Sequence, residues 1–297
     1  MDAGVFVLGM HRSGTSVATR LVNLLGVPTA VEDDLVPAKW DNPTGYWESA
    51  SLVAFNTELL TSVGSETGCP ASLQPGWEHD PRLAELRPPA AEVFRRAFPS
   101  APWVWKDPRN CLTFSFWVSV LDVRPVAILV HRNPLEIAAS LRVRNGEDKH
   151  HALALWERYL RQALGAISQL PVLITSYEEL LSAPLAWCER TRAFFALAGV
   201  TTRGSREPDV LAFVDTRMRH SAFTRVDFLS DPAVSDAQRE LFGALERLQG
   251  EHRRFSAPVL PPETPSTETL MVERRASLQA ARAGRGRRLA VPAKAAI

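Results

Sequence analysis

Val5-Phe-Val-Leu-Gly-Met-His-Arg-Ser-Gly-Thr-Ser-Val-Ala-Thr-Arg-Leu21 stands near the start of the chain and decides the fold. Val5 to Leu8 form a short apolar run, which is typical of a buried parallel strand. A polar loop bracketed by Gly9 and Gly14 follows, and apolar residues then recur at helical spacing until Gly26. A strand, a glycine loop and a helix in this order gather backbone N–H groups and the positive helix end around one point. The stretch therefore predicts a phosphate site.

The cation of this loop differs from that of an ATP-binding loop. In the G-x-x-x-x-G-K-[ST] pattern a lysine follows the second glycine, whereas here Thr15 follows Gly14 and the cation between the glycines is Arg12. The loop also carries three hydroxyls, on Ser13, Thr15 and Ser16. These groups suit a 5′-phosphate with a transferable group better than metal-assisted transfer of a γ-phosphate. The alternative is a glycine turn that only packs a helix against a sheet.

A second anion site is predicted after the apolar run 126–130, which indicates a central strand. An Asn-Pro pair then suits the cap and the first position of a helix. Arg132 leaves the strand beside the start of that helix, and Ser140 and Arg144 lie on one face of it. Two guanidiniums and a hydroxyl near one helix start form a phosphate site separate from the first. Two such sites require a ligand with two separated phosphates.

These motifs resemble those of sulfotransferases that use 3′-phosphoadenosine-5′-phosphosulfate (PAPS). Gly9-Met-His-Arg-Ser-Gly-Thr-Ser16 is similar to their 5′-phosphosulfate loop, in the arginine variant that the tyrosylprotein sulfotransferases and many bacterial sulfotransferases share. The resemblance covers residues 4–182 and implies an α/β fold: a P-loop-like, three-layer α/β/α arrangement with a central parallel sheet. It implies PAPS as co-substrate and no metal. The residues that it assigns to PAPS are Arg12, Ser13, Gly14, Thr15, Ser16, Arg132, Ser140, Arg144 and Tyr177.

The resemblance also implies catalytic residues. Lys106 belongs to a Lys-Asp-Pro motif at the end of a strand that begins at Trp103, and with Arg12 it is the candidate cation for the sulfuryl group in flight. The candidate general bases are three acids. Glu32 and Asp33 lie at the offset from the arginine where the tyrosylprotein sulfotransferases carry their glutamate, and Glu48 follows an Asn-Pro-Thr-Gly-Tyr-Trp turn. Each acid can instead be a solvated loop charge, and Lys106 can instead form a strand-end ion pair.

A late loop often closes over the cofactor in this family, and Arg217, His220 or Ser221 are candidates for that contact. Residues 1–255 are predicted to form the sulfotransferase domain. Residues 256–297 are rich in Pro, Thr, Ser, Ala and Arg and predict a disordered basic tail.

Composition and cysteine content limit the class of partner and the cellular compartment that the sequence predicts. A net charge of +1 gives no argument for a nucleic acid or an anionic membrane as partner. The 3 cysteines are far apart, and there is no signal peptide or apolar stretch of membrane-spanning length. These observations predict a soluble cytoplasmic protein, of bacterial type by its motifs, with reduced thiols.

The sequence thus predicts a PAPS-dependent sulfotransferase that modifies a hydroxyl of a glycan, a lipid or a small molecule. Trp40, Tyr46 and Trp47 suit stacking on a ring of the acceptor, and core packing explains them equally. One alternative is a P-loop nucleotide or sugar kinase with a degenerate loop. The other is a nucleotide-binding module without catalysis.

Overall fold

The computed structural model describes residues 3–204, 206–214 and 222–289. Its strands are β1 (Ala3–Leu8), β2 (Trp103–Lys106), β3 (Arg124–His131), β4 (Val172–Ser176) and β5 (Gly250–His252). Its α-helices are α1 (Thr15–Leu24), α2 (Ala50–Ser62), α3 (Arg87–Ala97), α4 (Asn110–Val120), α5 (Pro134–Asn145), α6 (Lys149–Ala166), α7 (Tyr177–Ser182), α8 (Pro184–Ala198), α9 (Glu207–Phe213), α10 (Arg225–Ser230), α11 (Asp236–Arg247) and α12 (Pro265–Leu289). Within these ranges, no helix is both long enough and apolar enough to cross a bilayer.

The sheet has the strand order β2-β1-β3-β4-β5, in which β1 to β4 are parallel and β5 is antiparallel to β4. The chain moves from β1 outward to β2 and then returns across β1 to β3. The strand order therefore reverses between β1 and β3, and ligands of open α/β sheets bind in the crevice that such a reversal leaves beyond the carboxyl ends. The two predicted phosphate motifs follow these two strands.

Helices cover both faces of the sheet, which confirms the predicted three-layer α/β/α architecture. Alternate residues of β1 divide between two cores, because successive side chains of a strand point to opposite faces. Phe6 and Leu8 join a core rich in aromatic residues on one face, and Val5 and Val7 join a mainly aliphatic core under α1 and α8 on the other. All four side chains are fully buried. In the sequence, an unbroken apolar run predicts a strand that is buried on both faces.

The region before β2 differs from its prediction in one respect. The sequence predicts one amphipathic helix over 82–98 with a break at Pro88 and Pro89. The structure has a 3₁₀ helix at Pro81–Leu86 and then α3, whose first turn contains both prolines. Proline is tolerated in the first turn because the N–H groups there have no partner within the helix.

The sequence predicts a disordered tail from residue 256, and in the structure the part of that tail from Pro261 to Met271 packs on α6. Arg158 of α6 is buried, and it binds Glu263 at 2.7 Å and Glu268 at 2.6 Å. Met271 of α12 is fully buried in the aromatic core. Composition averages over the segment and therefore hides these few specific anchors.

Removal of α12 should destabilise the protein. A chain that ends at Pro262 lacks both glutamates and leaves the buried guanidinium of Arg158 without them. Removing one partner of a buried ion pair costs about 3–5 kcal/mol. We expect a loss of that size in the free energy of unfolding, measured by urea denaturation. A chain that ends at Ala280 keeps these contacts and serves as the control, and equal stability of the two truncated chains would contradict the packing role.

Candidate functional site

A cleft of about 450 Å³ opens beyond the carboxyl ends of the parallel strands. Each of the four parallel strands sends a predicted site residue to its wall: Arg12 follows β1, Lys106 ends β2, Arg132 follows β3 and Tyr177 follows β4. Sheet register explains this convergence, since Val7 pairs with Lys106 and His131 pairs with Ser176. Residues far apart in sequence therefore meet at one edge of the sheet.

The loop between β1 and α1 depends on its two glycines. Gly9 has a φ of +150°, and a Cβ there would lie 2.6 Å from the carbonyl oxygen of Val130. Gly14 has a φ of +93°, and a Cβ there would lie 2.2 Å from the ring of Tyr177. Only glycine fits both the backbone and the space at these positions. Arg12, with a φ of 70°, also lies in the left-handed region, which turns the loop around the cleft.

The same loop offers several groups to an anion. Gly14 caps α1 and has no side chain with which to bind the first-turn N–H groups. Ser13 is fully buried, and its hydroxyl has no hydrogen-bond partner among the described residues. Thr15 and Ser16 line the cleft. A loop with unsatisfied donors at the positive end of a helix is suited to bind a phosphate.

The second predicted anion site lies on β3 and α5 in the same cleft. Asn133 caps α5 with its side chain and Pro134 is the first helical residue, as predicted. Arg132 donates from Nε to Glu136 at 2.6 Å, and its guanidinium lies 4.4 Å from the centroid of the Tyr177 ring. The hydroxyl of Ser140 accepts a hydrogen bond from Arg12 at 2.8 Å. The two anion sites are therefore contiguous.

Asp41 joins the two sites and was not predicted. Its Oδ2 lies 3.3 Å from Arg12 and 3.1 Å from Arg144, and its Oδ1 accepts a hydrogen bond from Tyr46. Burial opposes its ionisation, but the Tyr46 hydroxyl and the two guanidiniums outweigh burial and hold the pKa of Asp41 below its usual value. Burial and the nearby carboxylate raise the pKa of Tyr46 to about 12. Asp41 is thus an anion bound to two predicted phosphate ligands.

Lys106 and Glu48 form an ion pair at the end of β2. The Nζ of Lys106 lies 2.5 Å from Oε1 of Glu48, and the side chains are 2% and 12% exposed. The pair lines the cleft beside Arg12. Lys106 does form an ion pair, as the alternative allowed, and its partner is the candidate base Glu48.

A buried polar network supports the corner after Lys106. Asn56 of α2 donates to Asp107 at 2.9 Å and to Asn110 at 3.0 Å, and it accepts from Trp117 at 2.7 Å. Asp107 also binds Arg109 at 2.9 Å. Sequence reasoning missed Asn56. The available signal was an asparagine on the helix face of Leu52, Leu59 and Leu60, which indicates burial only when a polar partner is known.

Two of the three candidate bases lie away from the cleft. Glu32 and Asp33 are exposed in a 3₁₀ helix at Glu32–Asp34 and are not part of the cleft wall, whereas Glu48 is. The late-loop candidates Arg217, His220 and Ser221 lie outside the described residues.

His11 is a further cleft residue that the sequence did not single out. Its Nε2 is buried and has no hydrogen-bond partner among the residues that the structure describes. Burial, followed by the charges of Arg109, Arg144, Lys106 and Arg12, lowers the pKa of His11 well below 6.5. The imidazole is therefore neutral at physiological pH and places an uncommitted nitrogen near the Lys106–Glu48 pair.

His131, the residue before Arg132, should make stability depend on pH. Burial lowers its pKa to about 4 in the folded protein, against about 6.5 in the unfolded chain. Below pH 6.5 the unfolded chain binds a proton that the folded protein does not, so stability is lost as the pH falls. Between pH 6.5 and 4, the free energy of unfolding of the wild type should fall by about 3 kcal/mol more than that of His131→Phe, which has no group to protonate at this position. Urea denaturation at several pH values measures it, with exposed His79→Gln as control. Parallel curves for wild type and His131→Phe would contradict this.

The chain was compared with known proteins. No protein-family model and no curated protein matches it. One similar solved structure is the sulfotransferase domain from the curacin biosynthetic pathway, with 15% identity, a TM-score of 0.42, and coverage of 94% of this chain and 98% of that one. Another is the sulfotransferase domain from the Synechococcus PCC 7002 olefin synthase, with 14% identity, a TM-score of 0.43, and coverage of 92% and 94%.

Proposed function

We propose that the protein is a sulfotransferase that moves the sulfuryl group of PAPS to a hydroxyl of a glycan, lipid or small-molecule acceptor. The observation that carries this proposal is the pair of contiguous anion sites in one cleft. One site is the glycine loop with Arg12, and the other is formed by Arg132, Ser140 and Arg144. PAPS carries a phosphosulfate at the 5′ position and a phosphate at the 3′ position, and two anion sites side by side match that arrangement.

The residues of the cleft fit this nucleotide. The uncapped first turn of α1 and the unpartnered hydroxyl of Ser13 are donors that a 5′-phosphate can satisfy. Arg132 and Arg144 present guanidiniums, which bind phosphate in a bidentate manner. The ring of Tyr177 packs against both the guanidinium of Arg132 and Gly14 at this side of the site. When bound, PAPS supplies a sulfuryl group on a phosphate leaving group.

Residues of this chain then supply proton transfer and charge stabilisation. Glu48 takes the proton of the acceptor hydroxyl, since it is the candidate base that lines the cleft. Lys106 binds Oε1 of that carboxylate, and the second oxygen is the one that receives the proton. The charges of Lys106 and Arg12 stabilise the negative charge that develops on the transferred group and on the leaving phosphate. Neutral His11 offers its free nitrogen to the acceptor or to the sulfuryl oxygens.

Binding of the product nucleotide tests the cofactor directly. We expect 3′-phosphoadenosine-5′-phosphate (PAP) to bind with micromolar affinity, without magnesium, and more tightly than ADP or ATP, as measured by calorimetry. Arg132→Ala should weaken PAP binding by roughly tenfold to a hundredfold, because a charged hydrogen bond contributes about 1.5–3 kcal/mol.

Arg142→Ala is the matched control for this experiment, because Arg142 is an exposed arginine of α5, the helix that follows Arg132, and is not part of the cleft wall. It should bind PAP like the wild type. Preference for magnesium-ATP over PAP would reject the sulfotransferase and favour the nucleotide or sugar kinase.

The choice of base is tested by three isosteric variants. We expect Glu48→Gln to lower the rate of sulfuryl transfer by about 10²–10⁴, the usual contribution of a general base, while PAP still binds. Transfer is measured with radiolabelled PAPS and a panel of hydroxylated glycans, lipids and small molecules, and slow transfer to water serves where no acceptor reacts.

Glu32→Gln and Asp33→Asn are the companion variants and should retain the wild-type rate, because both side chains are exposed outside the cleft. A large loss of rate in either variant, with Glu48→Gln active, would reassign the base. PAP binding with no transfer in any variant or in the wild type would favour the non-catalytic module.

A further inference from the structure

Residues 36–48, here called the strap, cross the cleft as an irregular segment. The ends of the strap are fixed, because the N–H of Val36 donates to the carbonyl of Glu48 at 2.8 Å and Leu35 pairs with Ser49. The tip is a tight turn in which Lys39 pairs with Asn42. The strap is thus a closed loop with Glu48 at its fixed end and Asp41 at its tip.

The tip of the strap binds three residues that are predicted phosphate ligands. Arg12 contacts both the carboxylate of Asp41, at 3.3 Å, and its carbonyl oxygen, at 3.0 Å. Arg144 lies 3.1 Å from the same carboxylate oxygen. Asn42 donates to the hydroxyl of Ser16 at 3.3 Å. A phosphate that bound these groups would have to replace the strap.

The Asp41 carboxylate is 5% exposed and is held by two guanidiniums and a tyrosine hydroxyl. Hydrogen bonds to charged groups contribute about 1.5–3 kcal/mol each, so this cluster is a substantial barrier to an incoming anion. If a ligand with a single carboxylate displaced Asp41, the two guanidiniums would again pair with one carboxylate, so no net interaction would be gained. A ligand with dianionic phosphates would bring more negative charge to the same guanidiniums.

We propose that Asp41 is an internal competitor for the anion sites, and that a phosphate ligand enters by displacing it from Arg12 and Arg144. Asp41 thereby selects polyphosphorylated ligands over weaker anions. The identity of the natural ligand as PAPS rests on the proposed function, whereas the competition itself concerns any phosphate. Displacement moves the tip of the strap and leaves Glu48 at its fixed end.

Calorimetric titration of the full-length protein with PAP tests the competition. We expect Asp41→Asn, which removes the charge and keeps the size, to bind PAP about tenfold more tightly than the wild type. Tyr46→Phe removes one hydrogen bond to the carboxylate without a change of charge, and it should tighten binding by a smaller factor. Glu58→Gln, which removes an exposed carboxylate of α2, should leave the affinity unchanged.

Weaker or unchanged PAP binding in Asp41→Asn would overturn the inference, since Asp41 would then position the arginines or take no part. Tighter binding in Tyr46→Phe supports the inference even where Asp41→Asn does not fold.

A parallel titration with inorganic pyrophosphate tests the competition independently of the identity of the nucleotide. If no variant binds PAP and Asp41→Asn tightens pyrophosphate binding, the competition stands and the proposed function fails. If PAP binds the wild type and Asp41→Asn tightens neither ligand, the proposed function stands and the competition fails.

Discussion

Among the described residues, four cations line one partly buried cleft, and the rest of the site depends on how their charges are balanced. Like charges in a medium of low dielectric constant repel strongly, and a buried charge without a partner costs several kcal/mol. Carboxylates of the same chain pair with these cations and offset this cost. Arg12 and Arg144 pair with Asp41, Arg132 pairs with Glu136, and Lys106 pairs with Glu48. A cleft suited to anions can therefore fold in their absence.

The parallel sheet makes this convergence possible. Parallel strands end at the same edge, so side chains that follow β1, β2, β3 and β4 meet even though long stretches of sequence separate them. Close packing at that edge then restricts the backbone. Gly9 lies against the carbonyl of Val130 and Gly14 lies against the ring of Tyr177, which brings the glycine loop next to the ends of β3 and β4. The position of the site thus follows from topology, and its shape follows from two glycines.

Features that depend on neighbouring residues could be predicted from the sequence, and features that depend on distant partners could not. The apolar runs of β1 and β3 and the cap at Asn133 are local signals, and the structure confirms them. Asp41 has no local signal for its role, because its partners lie on α5 and in the glycine loop. The packing of residues 261–271 could not be predicted for the same reason, since it depends on Arg158 of α6. Sequence offset alone could not separate Glu48 from Glu32, because the path of an irregular segment is fixed by tertiary contacts.

The counter-charges of the cleft differ in how firmly their backbone is held, and this difference assigns them different roles. Glu136 lies in the first turn of α5, four residues after Arg132, and is fixed by the helix. Glu48 is held by Val36 and precedes Ser49, whose side chain caps α2. Asp41 lies at the tip of the strap, so it can leave its partners while the other two carboxylates remain. Under the proposed displacement a ligand gains two guanidiniums in exchange for one carboxylate, and Glu48, the proposed base, stays in place. Backbone attachment, more than charge, separates Asp41, which we propose is displaced by the nucleotide, from Glu48, which we propose is the base.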